Sequence, residues 1–210
     1  MIEAARLCQE NGWEFSAIFR YQFLLTRSRA KPDKSWPSKK IGGWWLHHCP
    51  DLAPCRLLGP AGELLGLLLG VAVDADGQPL SGDLSQPSAH IDDLEAYLET
   101  LAGRFLAILA TDTTERLYFD PTGGLTAVYS RDHQTVCSNV TLGLDRPIEP
   151  APGIDPEAIM AGQDRLYLGE TPDHSFARIY ANHYLDLTRF ALVRHWPKPD
   201  MAPEAANLSA

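Results

Sequence analysis

Two stretches crowd together side chains of the kinds that bind metals or move protons. "HHCPDLAPC" places His47, His48, Cys49 and Cys55 near one another, all of them zinc-ligand types. The stretch reads as strand and turn. Successive strand residues face opposite sides, so His47 and His48 are poorly placed to share one ion. Asp173-His174-Ser175 carries the letters of a hydrolytic triad. Three sequence neighbours cannot form a relay of nucleophile, base and orienter, which is assembled from residues brought together in space. His183 in "ANHYLDL" reads as a turn histidine bonded to backbone. Of the thiols, Cys8 and Cys137 are the obvious candidates for a non-terminal nucleophile, and Cys137 on a short strand reads as a small buried hydrophobe.

The chain contains no Cys-x-x-Cys, no His-Glu-x-x-His, no Gly-x-Ser-x-Gly elbow and no phosphate-binding loop ending in Lys and Ser or Thr. Gly42-Gly43 and Gly123-Gly124 are pairs that supply turn dihedrals. Trp44 and Trp45 adjoin each other, so one can be core while the other faces out or into a groove. These residues assign no catalytic, cofactor-binding or metal-ligating position, and no cofactor is expected.

The elements that must carry these residues belong to an ordinary folded chain. It has 210 residues, 45% hydrophobic and 21% charged, which suits one compact body with a sizeable core. A net charge of -9 disfavours nucleic acid or anionic lipid as the main partner. The one basic cluster, Arg27 through Lys40, is interrupted by prolines and reads as a solvated loop. Four cysteines without framework spacing read as reduced, and no apolar run is long enough to span a bilayer. The expectation is a cytoplasmic protein with no membrane association.

A short helix opens the chain and stops at Asn11-Gly12. Apolar residues at Phe15, Ala17, Phe19, Tyr21 and Phe23 alternate as in a strand with one wet face. "RSRAKPDKSWPSKKIGG" reads as loop, "WWLHH" and "CRLLG" as short strands, and "GELLGLLLGVAVDADG" as a long strand buried on both faces that ends in an Asp-Gly turn. "SGDLSQPS" reads as loop. "HIDDLEAYLETLAG" is a helix with Asp92 or Asp93 at its N-terminal end and a stripe of Leu94, Tyr97, Leu98 and Leu101. "RFLAILAT", "ERLYFD", "LTAVYS" and "TVCSN" come next as antiparallel strands, with Asp120 to Gly124 as a hairpin bend. "IDPEAIMAG" is a short helix, "HYLDLTRFALVRHW" a strand pair, and 197–210 a tail or linker start after a single domain over 1–196. Strands in runs with a few helices between them argue for an α+β fold with antiparallel sheets.

"LAGRFLAIL", "LYFDPTGGLTAVYS" and "TVCSN", in this order, resemble the core of class II glutamine amidotransferase domains. They look most like the N-terminal domains of asparagine synthetase and its relatives, β-lactam synthetase and lasso-peptide cyclase among them. The family's Leu-x-Gly-x-Phe strand, Asp-x-x-Gly turn, Leu-Tyr-Tyr-like strand and Ala-Ser-Glu-like strand correspond here to Gly103 and Phe105, Asp120 with Gly123 or Gly124, Val128-Tyr129, and Cys137-Ser138-Asn139. "ETPDHSFARIYANHYLDL" resembles a further family segment.

The resemblance implies an N-terminal-nucleophile fold, an αββα sandwich of four layers. It does not carry the activity over. The family's nucleophile is an N-terminal cysteine, whereas here Ile2 comes directly after Met1, and Trp13 falls near the nucleophile's place if "WEFSAIF" is the first strand. The family's oxyanion Asn-Gly pair has no equivalent in "LLLGVAVDADG". A catalytically silent glutaminase-like domain is therefore expected. It would serve as a structural or docking module for an ATP-dependent amide-forming ligase on a partner chain, since the ligase's pyrophosphate-binding loop is absent. The rivals are an amide hydrolase or transferase with a non-terminal nucleophile, and an amino-acid or peptide binder with a tryptophan-lined pocket.

Overall fold

The apolar run from Leu64 to Val73 is one long strand, β5, at the heart of the larger of two sheets in the computed structural model, which describes residues 1–163, 165–167 and 169–196. The expected tail at 197–210 lies outside the described residues. Three helices and a strand precede or follow this centre as the sequence suggests: α1 (Glu3–Asn11), closed by Gly12 in the left-handed region at φ 66°, α3 (Ile91–Glu99), α5 (Pro156–Met160) capped by Asp155, and β7 (Ala102–Ala110).

The fold is α+β. The larger sheet runs β13-β12-β8-β7-β5-β4-β6, with β4 (Cys55–Leu58), β6 (Asp83–Ser85), β8 (Glu115–Phe119), β12 (His183–Asp186) and β13 (Ala191–Arg194). The smaller runs β11-β9-β10-β1-β3-β2, with β1 (Phe23–Thr26), β2 (Ser38–Ile41), β3 (Trp44–His48), β9 (Val128–Ser130), β10 (Thr135–Cys137) and β11 (Ala177–Arg178). All pairings are antiparallel except β4 with β6.

Strand alternation sorts the larger sheet's side chains into two cores. Leu67, Leu69, Leu106, Ile108, Leu117 and Phe119 join Leu25, Leu46 and Val136 of the smaller sheet in one cluster, which also takes in Ala4 and Cys8 of α1. Leu68, Phe105, Ala107, Leu109 and Tyr118 point the other way and pack with Leu94, Leu98 and Leu101. Both faces of β5 are therefore dry over most of its length, as its continuous apolar run requires.

Several expectations are corrected. Residues 15–22 are not a strand: α2 (Phe15–Ile18) is a helical turn, and β1 starts only at Phe23. The alternating pattern conceals a helical one, because Phe15 and Phe19 are also four apart; their rings meet at 4.7 Å and Phe15 lies edge-on to Trp36 at 5.6 Å. The segments read as loops at 27–43 and 81–88 contain β2 and β6, short edge strands with too few residues for a periodic signal. The cap expected from Asp92 or Asp93 is not made; His90 is the N-cap, without a side-chain cap bond, and both aspartates lie in the first turn.

The most consequential correction concerns Asp120 to Gly124. This turn is no hairpin bend, because β8 belongs to the larger sheet and β9 to the smaller. It carries the chain from one sheet to the other. A second tie between the sheets is Glu115, which accepts the Gly43 N–H at 2.7 Å and the Trp44 indole N–H at 2.9 Å. The Gly42-Gly43 pair is thus structural: Gly42 has φ 53°, and a Cβ there would run into the Glu115 carboxylate.

Candidate functional site

At one end of the two sheets the strands part around a cavity of about 550 Å³. The smaller sheet contributes Gln22 and Phe23 at the start of β1 and Ser138 just after β10; the larger contributes Gly70 of β5 and Arg104 of β7. The cross-sheet turn adds Leu125 and Thr126.

Each position has a local cause. Gly70 and Gly103 take φ of 97° and 120°, and a Cβ on either would collide with the carbonyl oxygen of Arg104 or Val71 across the β5–β7 ladder. These two glycines let β5 and β7 approach closely beside Arg104, which lines the mouth. Its Nε donates to the Gly124 carbonyl at 2.6 Å, which ties the guanidinium to the turn. Among the described residues its Nη groups have no hydrogen-bond or ion-pair partner.

The turn is held by Asp120, which is fully buried and accepts from four donors: Phe105 N at 3.2 Å, Thr122 N at 2.9 Å, Thr122 Oγ1 at 2.5 Å and Gly124 N at 2.9 Å.

On the opposite wall, Ser138 Oγ accepts from Phe23 N at 3.0 Å and lies 3.3 Å from both Gln22 Oε1 and the Phe23 carbonyl. Asn139 is occupied as the N-cap of the helical turn α4 (Val140–Gly143), accepting from Thr141 N and Oγ1 at 3.0 and 2.9 Å. Arg20 donates to Asp51 at 2.8 Å and lies 4.9 Å over the ring of Tyr21, a residue held at φ 57°. The mouth therefore offers two guanidinium groups, one carboxylate, the hydroxyls of Tyr21, Thr126 and Ser138, and amides. That set binds and orients polar or anionic groups. It includes no thiol, and no histidine or lysine that could take a proton from Ser138.

The residues singled out from the sequence lie elsewhere. His47 and His48 are buried on opposite faces of β3, as strand geometry predicts. His47 Nε2 donates to the Ser28 carbonyl at 3.1 Å and its Nδ1 accepts from Ser38 Oγ at 2.7 Å, while His48 Nδ1 donates to the Cys49 carbonyl at 2.9 Å. Burial pushes both below the ordinary histidine pKa. Among the described residues no three metal-ligand side chains converge. Asp173 faces Arg146, with contacts at 2.7 and 3.0 Å, and accepts from Ser175 Oγ at 2.6 Å, whereas His174 turns outward to Glu149. The triad letters form an ion pair and a turn. His183 Nδ1 bonds the Ala181 carbonyl at 3.0 Å, as expected.

All four cysteines are buried, and burial raises the thiol pKa of Cys8, Cys55 and, most strongly, Cys137. Trp13 is half exposed between α1 and α2 rather than at a strand start. Trp44 is core and Trp45 half-buried under Arg29, so the mouth has no tryptophan lining.

Sequence reasoning missed Arg20, Asp51 and Arg104. The one usable signal was a charged residue at Arg104 inside an otherwise apolar strand, next to Gly103. No described helix is long and apolar enough to cross a membrane. No family model matches the chain, and no curated protein matches it.

Proposed function

We propose that the chain is a glutaminase-like domain of the asparagine synthetase type that has lost glutamine hydrolysis and acts as a structural or docking module for an ATP-dependent, amide-forming partner in the cytoplasm. Several features support this reading. The two sheets share one core, α1 and α4 flank the smaller sheet, and α3 covers the larger, an arrangement compatible with a four-layer sandwich of the N-terminal-nucleophile kind. Phe105 and Asp120, two of the residues that carry the resemblance, are bonded to each other at one corner, and Gly103 lies two residues before Phe105 on β7.

The single observation that carries the proposal is the identity of the residues where β1 enters the mouth. Gln22 and Phe23 stand there, and neither can attack a carbonyl. Cleavage directly at the start of β1 would expose Gln22 or Phe23, neither a nucleophile, and the buried thiols argue against the rival that uses Cys8 or Cys137. The test is incubation with glutamine and with an electrophilic glutamine analogue. The expected result is no ammonia and no label; stoichiometric labelling overturns the proposal.

A second reading, a small amino-acid or peptide binder, is favoured by the unpaired Nη groups of Arg104 in the cavity. A rise in melting temperature with an amino acid, lost in Arg104→Ala, would support it over a pure scaffold.

A further inference from the structure

The basic segment read from the sequence as a solvated loop ends in an open sheet edge. Residues 27–40 hold six basic residues, Arg27, Arg29, Lys31, Lys34, Lys39 and Lys40, against the single acid Asp33, in a chain whose total charge is -9. Two of the six are engaged. Arg27 lies 3.8 Å over the Trp44 ring and 3.6 Å from Glu115, and Arg29 lies 5.4 Å over Trp45. The four lysines are exposed, and none is ion-paired with a described residue.

Lys39 and Lys40 are on β2, the last strand of the smaller sheet, which pairs with β3 on one side through Ser38↔His47 to Ile41↔Trp44. Among the described residues no backbone bond is made from the outer side of Ser38 to Ile41. Neighbouring strand residues face opposite sides, yet both lysines are exposed, so charge borders the free edge above and below. The strand is held in place by His47, which bonds Ser38 of β2 and Ser28 of the preceding segment at 2.7 and 3.1 Å.

We propose that the β2 edge docks an acidic, extended segment of a partner protein, which adds as a further strand beside Lys39 and Lys40. Strand addition draws affinity from main-chain hydrogen bonds and selectivity from alternate side chains. Here the selecting groups are lysines on both faces. Self-pairing of two β2 edges would set lysine against lysine, which is repulsive, so a second copy is disfavoured. Nucleic acid is disfavoured because the rest of the chain is strongly acidic. An acidic strand satisfies both the free edge and the charge. The inference deepens the docking reading above and rests on it. The ammonia test and the peptide titration report on different regions, so the failure of one is distinguishable from the failure of the other.

The experiment titrates the full chain with a fluorescent peptide of alternating Glu and Val at low and high salt. Three comparisons accompany it: the same peptide N-methylated at alternate backbone nitrogens, a Lys-for-Glu peptide, and a single-stranded DNA of equal charge. The expected result is saturable binding of the acidic peptide, weakened at least about tenfold by N-methylation and by the Lys-for-Glu exchange. Binding should be lost in Lys39→Glu/Lys40→Glu, exposed changes that leave the melting temperature in place, and kept in Arg104→Ala, on the other sheet. No binding at low salt, equal binding of the N-methylated peptide, or tighter binding of DNA would each overturn it.

Discussion

Asp120 and Phe105 are bonded reciprocally: the Phe105 N–H donates to the Asp120 carboxylate at 3.2 Å, and the Asp120 N–H donates to the Phe105 carbonyl at 3.0 Å. A buried side chain at the end of β8 thereby extends the β7–β8 ladder past its last paired residues. The same carboxylate fixes the turn whose Gly124 carbonyl holds Arg104.

Asp120→Ala should cost about 2–4 kcal/mol, because it leaves the N–H groups of Phe105 and Gly124 without their acceptor in a buried corner. Asp120→Asn should lose less, since its amide keeps one acceptor oxygen while placing an NH2 among donors. Urea unfolding measures both. A loss under about 1 kcal/mol in the alanine variant would show that the turn does not depend on this carboxylate.

Gly103→Ala should destabilise by about 2 kcal/mol or more, since it adds a Cβ against the Val71 carbonyl at a φ of 120°. Gly12→Ala, at φ 66° with open space around it, should cost only about 1 kcal/mol. Equal losses in thermal unfolding would mean that the close approach of β5 and β7 is not what requires Gly103.

Acid should unfold the protein in two ranges. His47 and His48 are pushed below the ordinary histidine pKa, chiefly by burial, so the unfolded chain takes up their protons first. Their burial is tolerated above the unfolded value of about 6.5, and stability declines as pH falls below it. Burial alone would raise the pKa of Asp173, but hydrogen bonds from Arg146 and Ser175 outweigh it and hold the carboxyl well below the usual range. Its contribution is complete above the unfolded value of about 3.9 and is lost as pH falls below it. Asp173→Asn should lessen the second decline, to which Asp33 and Asp186, also held below the usual range, contribute as well, and should cost on the order of 2–4 kcal/mol at neutral pH. Urea midpoints between pH 7 and 3 for both proteins decide the matter.

No thiol should react rapidly in the folded protein. Cys137 is wholly buried with its pKa raised by burial, and Cys8, Cys49 and Cys55 are buried too. Alkylation followed by mass spectrometry should modify all four only at the rate of opening or unfolding. Fast labelling of Cys137 in native buffer would contradict this packing.

The sequence by itself determined the elements whose pattern is long or chemically marked: α1 with its Asn11-Gly12 stop, β5 as a run buried on both faces, the α3 stripe of Leu94 and Leu98, and the α+β class that their order implies. It failed at residues 15–22, where spacings of two and four fall on the same residues, and at β2 and β6, which are too short to show any period. The mouth was hardly legible. Arg20, Asp51, Arg104 and Ser138 come from four separate parts of the chain and share no spacing. Only tertiary structure decided that β8 and β9 part into different sheets, because a turn's dihedrals are the same whether the next strand returns beside the last or crosses to another layer. That choice is made by which apolar face Val128 and its neighbours can bury, a long-range contact no local pattern records.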